Sequence, residues 1–570
     1  MGNYFTDNDD ILFLFEHADL PSASVVMENG FHSSKTIDFA PENAADAMDN
    51  YFRILKMLGE LAADVIAPTA EATDRIGNRL NPDGSVTYAP GIADALDRLG
   101  RADLMGFTLP YEYGGLNCPQ LLYVMAIDIV SRADASLAVF FGLQGIADTI
   151  ERFASKTLKE RYLPDLASGR TTAAMVLTEP DAGSDLQSIR LRAYQSENKE
   201  WFVHGVKRFI TNGCGDVLLV LARSEPGTMD GRGLSLFVVD RSDKVKVRRL
   251  DDKLGIHGSP TCELFFDHAP AKLVGKRRRG LTPYVTNLLN KTRVAIAAQS
   301  LGIGEAAYRA AREFAHTRGG FGDTIEKIPA VRELLVDMSV DLQAARALTY
   351  LAGLHLDYDS AIFRRAVPVE RDAAGQKKIA AMLSAMGKYY ASEMSVRVAN
   401  KALAVLGGSG YMRDYPVERH VRDSRITTIY EGTTQIQIVT AYRPVLAGVA
   451  KSVIGELTDR DWMGDEAELV DNLREGVGLL DRAADYINGR RDQSYSDLHS
   501  RRIVDMACVL IVGALFCRYA EFNDAKMTVA KRWLDTKLPE LHLSCDAICS
   551  GNRSVLDRFD VLAGRVSHGD

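Results

Sequence analysis

The sequence predicts an α+β chain in which helices and strands are segregated along the chain instead of alternating. Three observations predict it. From about Ala40 to Gly169 apolar residues recur three and four apart, the spacing of a helix face. From about Thr171 to Gly280 the pattern changes to short apolar or alternating runs broken by turn residues, the mark of a compact β unit. From Leu281 onward the helical period returns and continues to the end. The order α, β, α, then more α is not that of a doubly wound fold, whose strands and helices alternate.

In chain order, residues 1–35 read as a polar and aromatic leader, and the first helical domain closes at about 170. Its clearest helices run through Tyr51 to Leu61, Leu121 to Ala133 and Ala138 to Phe153, with Pro110 and Gly114-Gly115 as breaks. The β domain spans 171–280. Its strands are predicted at Trp201 to Thr211, Val217 to Ala222, Leu234 to Val239, Val245 to Leu250 and Cys262 to Phe266. Asn212-Gly213, Pro226-Gly227 and Asp230-Gly231 supply turns. A second helical domain follows at 281–447. A helical extension occupies 448–570, with a break expected at Asn488-Gly489.

Composition narrows the function classes. The chain has 570 residues and a net charge of −8, which gives no electrostatic reason to expect nucleic acid. The run Lys276-Arg277-Arg278-Arg279 fits either a solvated loop or a phosphate-contacting one. The seven cysteines are odd in number and sparse, which fits a reducing cytosol and a cytoplasmic protein. Cys545 and Cys549 are four apart and share a helix face. The N-terminus lacks the basic and apolar regions of a signal peptide. The longest apolar stretch, Ile503 to Phe516, is shorter than the ~20 residues of a spanning helix, so no integral membrane segment is expected.

Three segments carry chemistry. Leu177-Thr178-Glu179-Pro180-Asp181-Ala182-Gly183-Ser184-Asp185 is a turn with hydroxyls and exposed amides, able to hold phosphate or flavin oxygens or simply to connect helix to sheet. Gly407-Gly408-Ser409-Gly410 follows an apolar helix and permits close backbone approach to a ligand, but also reads as a helix terminator. Ile429-Tyr430-Glu431-Gly432-Thr433-Thr434-Gln435 sets a carboxylate among apolar flanks. There it is either desolvated and tuned as a base or solvated beside a helix N-cap.

Together, in this order, the segments resemble the acyl-CoA dehydrogenase family over about 45–447. Leu177 to Asp185 matches its first signature. Phe209 to Gly213 matches its flavin-stacking strand. Gly407 to Tyr411, running to Arg422-Asp423, matches its second signature, and Tyr430 to Thr433 its catalytic segment. The resemblance implies an N-terminal helical domain, a middle β-barrel or sandwich and a C-terminal four-helix bundle, followed by the extension. It implies an enzyme that uses FAD to oxidise an acyl-CoA thioester to the trans-2-enoyl-CoA. Glu431 abstracts the α-proton and the β-hydrogen leaves as hydride to flavin N5. Leu177, Thr178, Gly183, Ser184, Phe209 and Thr211 are implied on the cofactor, with Thr433 and Gln435. Arg318, Phe321, Gly407 and Gly408 are implied to reach it across a subunit interface. Ser184, Arg293, Tyr430 and Gly432 are implied at the substrate.

This sequence departs from the family pattern in two places. Ala404 stands where many members carry Gln three residues before the paired glycines, and Gly320 replaces a threonine in Arg318-Gly319-Gly320-Phe321. Thr292, in Asn290-Lys291-Thr292-Arg293, occupies the position where some members place the base, and it cannot act as one. His257, in the stretch Lys253 to Thr261, reads as a flavin or CoA neighbour or as part of a plain loop. The implied partners are the acyl-CoA, electron-transferring flavoprotein and a second copy of the chain in a homodimer. An acyl-CoA oxidase and a DNA-binding damage-response flavoprotein share the pattern. Residues 451–570 hold 16 Lys and Arg against 21 Asp and Glu, which argues against DNA.

Overall fold

A computed structural model describes residues 2–364 and 372–565. The chain divides into two compact units, Met1–Gln376 with Gly387–Thr434, and Lys377–Met386 with Gln435–Asp570.

The first unit has helices on either side of its sheet in sequence. Helix Ala44–Leu61 starts at Asn43, whose side chain accepts from the Asp46 amide at 3.0 Å, and buries Ala47, Tyr51, Leu55 and Leu58 on one face. Helix Gln120–Ala133 is buried almost all round, as expected of an element at the centre of a helical layer. It packs against the 32-residue helix Thr286–Thr317, and Gly302 allows the approach: a Cβ there would lie 2.4 Å from the Arg132 amide. Arg346, 1% exposed on helix Pro329–Arg364, ties these elements to the leader. It donates to Asp128 at 2.9 Å, Glu305 at 2.9 Å and Asp10 at 2.6 Å. Ionised partners make such bonds about twice as strong as neutral ones.

The sheet has seven strands, β1 (Ala173–Val176), β2 (Arg192–Gln195), β3 (Trp201–Thr211), β4 (Val217–Arg223), β5 (Leu234–Asp240), β6 (Val245–Leu250) and β7 (Thr261–Leu273). β2 pairs with β3, β3 with β7, β7 with β5, β5 with β4, and β4 touches β2 again through Arg192 and Arg223. The ring therefore closes as a barrel, with β1 parallel on β4 and β6 on β7 as added strands. Val203, Ile210, Leu218, Val220, Phe237, Val239, Leu264 and Phe266 share one face of the sheet and fill it.

The α+β order is the one expected from the sequence. β1 and β2 were not anticipated, and β7 runs to Leu273, well past the expected Phe266. The helix expected over Ala138 to Phe153 is two, Ala135–Gly142 and Gly145–Phe153.

In the second unit, helices Val449–Thr458, Asp465–Arg490, Gln493–Ala520 and Asp524–Cys549 share a core. Trp533 donates to the Val509 carbonyl at 3.1 Å and Tyr495 to that of Ile548 at 2.6 Å. Asn488-Gly489 does not break its helix, which ends two residues further on, where Arg491 turns left-handed. Helix Gln493–Ala520 is long and apolar enough to cross a membrane by length and composition, but its most apolar stretch is 89% buried. Its apolar residues are a core face.

Candidate active site

Glu431 sits in the turn between helices Val417–Thr427 and Thr434–Leu446. The Tyr430 amide donates to Ile426 at 3.1 Å and the Thr434 amide to Thr428 at 2.9 Å, which tightens the turn. Closing it puts Glu431 at φ +56° and Gly432 at φ +91°. The second value suits glycine, while the first is one a side-chain-bearing residue rarely adopts. Such strain costs about 1–3 kcal/mol and survives only where surrounding structure imposes it.

The carboxylate is enclosed by protein, while the residue as a whole keeps part of its surface open. Burial pushes its pKa above the ordinary carboxylate range. The Thr292 hydroxyl, donating to Oε2 at 3.0 Å, and the cations Lys388 and Arg293 pull it partly back. Both cations place hydrogen bonds on other groups. Lys388 Nζ donates to the Gly432 carbonyl at 2.6 Å and Arg293 Nη1 to Asn290 at 3.2 Å. Burial lowers the Lys388 ammonium to about 7 and the Arg293 guanidinium to about 10. Tyr430 donates to Gln299 Oε1, and Gln299 in turn donates to the Ala135 carbonyl at 2.8 Å. The structure thus gathers Glu431, Tyr430 and Gly432 from one segment and Arg293 and Thr292 from another, with Lys388 from a third. Lys388 and Gln299 carried no signal in the sequence beyond being polar residues within apolar helices.

A second group forms at one end of the barrel. In the loop after β1, Glu179 and Ala182 exchange backbone hydrogen bonds of 2.9 and 3.2 Å. The Glu179 carboxylate accepts the amides of Arg190 at 2.7 Å and Leu191 at 2.9 Å. The fully buried Lys207 pairs with it at 2.9 Å and donates to the Leu177 carbonyl at 2.6 Å. Leu177 is buried, Thr178 half-buried, and Gly183 and Ser184 face outward. The Arg208 amide on β3 donates to the Thr178 carbonyl at 3.0 Å, joining loop to strand. One residue further, Phe209 adopts φ +59° at a break in the β3–β7 register. The bulge turns its ring outward, 53% exposed, with Arg208 over its face at 4.7 Å. Thr211 ends the same strand half-buried.

The remaining residues lie on the surface. Gly319-Gly320 pairs with Asp323-Thr324 in a tight hairpin whose tip, Phe321 and Gly322, has φ +55° and +92°. The tip presents Phe321 fully to solvent beside the exposed Arg318. Gly407 caps helix Ala373–Leu406 at φ +59°, so the terminator reading holds for it. Gly408 has no positive φ and nothing within 4 Å of where a Cβ would stand, so the fold alone does not require glycine there. Thr433 precedes helix Thr434–Leu446, on which Gln435 is exposed.

His257 proves to be a loop staple. Nδ1 lies 2.9 Å from an Asp74 carboxylate oxygen and Nε2 lies 2.7 Å from the Lys253 carbonyl. Arg422, paired with Asp74 at 2.6 Å, and Asp423, accepting the Ile256 amide at 2.6 Å, fix the same loop. In the basic run, Arg277 pairs with Glu225 at 2.6 Å, while all four side chains stay exposed.

An exposed aromatic ring on a strained bulge, outward Gly183 and Ser184, and an open glycine pair are features that fit a large planar cofactor carrying a pyrophosphate.

Three family domains match the chain: acyl-CoA dehydrogenase N-terminal domain at 50–170, middle domain at 174–269 and C-terminal domain at 278–446. An acyl-CoA dehydrogenase of Bacillus subtilis is 36% identical over 405 residues, 69% of this chain and 97% of that protein. The structure of butyryl-CoA dehydrogenase from Megasphaera elsdenii superposes with a TM-score of 0.62 at 28% identity, over 70% of this chain and 98% of its own. An acyl-CoA dehydrogenase of Bacillus anthracis, solved in complex with FAD, is 22% identical and covers 91% of this chain and 92% of its own, with a TM-score of 0.76. The last likeness takes in a larger share of the chain than the first two and concerns the fold. On the three domain matches and the identity to the Bacillus subtilis protein, the chain belongs to the acyl-CoA dehydrogenase family and is an oxidoreductase.

Proposed function

We propose that the chain carries out FAD-dependent α,β-dehydrogenation of an acyl-CoA thioester with Glu431 as the base. The observation that carries this reading is a strained, enclosed carboxylate whose pKa burial raises, in a turn that Lys388 holds through the Gly432 carbonyl. A base for a weakly acidic C–H must be ionised at working pH yet avid for a proton, and a raised carboxylate pKa meets both needs. Glu431 takes the α-proton of the thioester. Its own amide, held by the left-handed turn, is a donor for the thioester oxygen as charge develops there. Lys388 fixes the Gly432 carbonyl and so keeps that turn in register. Tyr430, clamped on Gln299, and Arg293 wall the site. FAD, when bound, supplies the acceptor for the β-hydride.

Leu177, Thr178, Gly183, Ser184, Phe209, Thr211, Thr433 and Gln435 hold the cofactor. Arg318, Phe321, Gly407 and Gly408 reach it in a second subunit of a homodimer. The fully exposed Phe321 at a hairpin tip supports that assignment, because an apolar ring so placed gains by being covered. Ser184, Arg293, Tyr430 and Gly432 contact the acyl-CoA. Electrons pass on to electron-transferring flavoprotein. The seven free cysteines support a reducing, cytoplasmic setting.

Anaerobic titration of the flavin-loaded protein with a panel of acyl-CoAs tests the reading. Bleaching of the flavin band by one acyl class in the wild type, and its loss in Glu431→Gln with FAD retained, is expected. Equal bleaching in the variant would remove Glu431 from the chemistry.

A further inference from the structure

The β3–β7 pairing contains a second bulge, far from the Phe209 one, that the dehydrogenation reading leaves unused. Val203 pairs with Ala269 and Gly205 with Phe266, so one residue of β3, His204, faces two of β7, Asp267 and His268. The bulge requires unusual backbone at both strands: His268 has φ +51° and Gly205 φ +135°. Bulges of this kind re-aim side chains, and this one brings two imidazoles and a carboxylate together. A ligand atom from each of the three lies within 4.8 Å of the others. The two rings stack with centroids 4.2 Å apart and planes 21° apart.

Three features distinguish this cluster from a chance surface grouping. His204 Nδ1 is buried and has no hydrogen-bond partner among the described residues. The Asp267 carboxylate makes no ion pair or hydrogen bond among the described residues, although its amide is held by the Lys244 carbonyl at 2.9 Å. The Tyr194 hydroxyl on β2 lies 2.5 Å from His268 Nδ1. When Nδ1 donates to that oxygen, Nε2 carries the lone pair, which is the tautomer a metal requires. A buried donor atom left without a partner is rare and calls for an explanation.

We propose that His204, Asp267 and His268 bind one divalent transition ion, with Zn²⁺ as the best match. Two imidazole nitrogens and a carboxylate oxygen suit Zn²⁺, Co²⁺ or Ni²⁺ and suit Mg²⁺ and Ca²⁺ poorly. Tetrahedral bonds of about 2.0–2.2 Å place ligand atoms of one ion roughly 3.3–3.6 Å apart. On binding, the three side chains would draw together from separations within 4.8 Å, with the stacked rings turning their nitrogens toward one point. The ion would clip β3 to β7 at the bulge, and Tyr194 would bring in β2. His204 precedes Phe209 by five residues, roughly 16 Å along a strand, so the clip is structural and stands outside the flavin site.

The test uses the full-length, tag-free, FAD-loaded protein after chelator treatment. Isothermal titration with Zn²⁺ and visible absorption with Co²⁺ are the readouts. One ion per chain is expected, with a Co²⁺ d–d band, and bound Zn²⁺ raises the melting temperature. His268→Gln changes an exposed side chain and should fold normally; it and Asp267→Asn each weaken binding at least tenfold. His204→Ala abolishes the Zn²⁺-dependent rise in melting temperature. Tyr194→Phe keeps the ligands and weakens binding less than either. Absence of stoichiometric binding in the wild type, or equal affinity in wild type and His268→Gln, would overturn the proposal. Neither result bears on Glu431.

Discussion

Glu179 and Glu431 are both carboxylates inside the first unit, and each has a buried lysine nearby, yet the two arrangements have opposite characters. Glu179 accepts two backbone amides and an ammonium at 2.7–2.9 Å, and Lys207 adds a carbonyl to the same network. A buried charge so provided holds a loop in place. At Glu431 burial outweighs the Thr292 hydroxyl and the charges of Lys388 and Arg293 and raises the carboxyl pKa, while Lys388 donates to the Gly432 carbonyl. Where amides and an ammonium gather directly on the charge, the acid is structural. Where burial outweighs the groups that stabilise the charge, the acid is left avid for a proton.

The sharpest way to break this comparison is to neutralise each acid in turn. Glu431→Gln should lower turnover by about 10²–10⁴-fold, the range for losing a general base, with the fold kept. Its melting temperature also has a sign. The folded pKa of Glu431 lies above its unfolded value, so the wild type loses stability as pH rises from about 4.5 through the folded pKa. The variant escapes that loss and should match the wild type at low pH and exceed it above. A variant less stable than the wild type at pH 8 would mean that Glu431 is also a structural acid.

Glu179→Gln should do the reverse. It leaves Lys207 buried without its counter-ion, a change that costs roughly 3–5 kcal/mol. Scanning calorimetry should show a large drop in melting temperature and a loss of bound FAD. If stability is unchanged, Glu179 and Glu431 do not differ in the way described.

Lys388→Met sharpens the picture at the active site. The charges facing Lys388 are Glu431, Arg293 and Glu393. Its positive charge holds the Glu431 pKa down, so its loss should move the acidic limb of the kcat/KM profile upward by about one pH unit. The effect belongs to the range below about pH 7, where Lys388 is protonated. An unmoved limb with lower kcat would assign Lys388 to holding the turn alone.

Phe209→Gly is the smallest change and the most discriminating for the bulge. Glycine relieves the left-handed strain, worth ~1–2 kcal/mol, against an entropic cost of about 0.5–1 kcal/mol. The apoprotein melting temperature should stay level or rise slightly while FAD binds severalfold more weakly. A clear fall in apoprotein stability would mean that the ring supports the barrel.

The α, β, α, α order was legible because period 3.6 and period 2 are local properties of sequence. β3 and β6 matched their runs residue for residue, Trp201–Thr211 and Val245–Leu250. The short β1 and β2 were not legible, since four residues hold too few periods and owe their pairing to neighbours. Asn488-Gly489 misled because a glycine near a helix end is tolerated when the helix is packed. At the candidate site the local segments were readable, but Lys388 was not. Its helix reaches Gly432 across 44 residues, and no periodicity encodes that contact.

The sequence by itself determined the order of layers, the family and the residue types at each candidate position, because these depend on spacing along the chain. Only the tertiary structure decided which acid is satisfied and which is strained, that Phe209 turns outward, that His257 is a staple, and that His204 faces Asp267 and His268. Those outcomes depend on burial, backbone dihedrals and strand register, and each is set by what the rest of the fold brings opposite a residue.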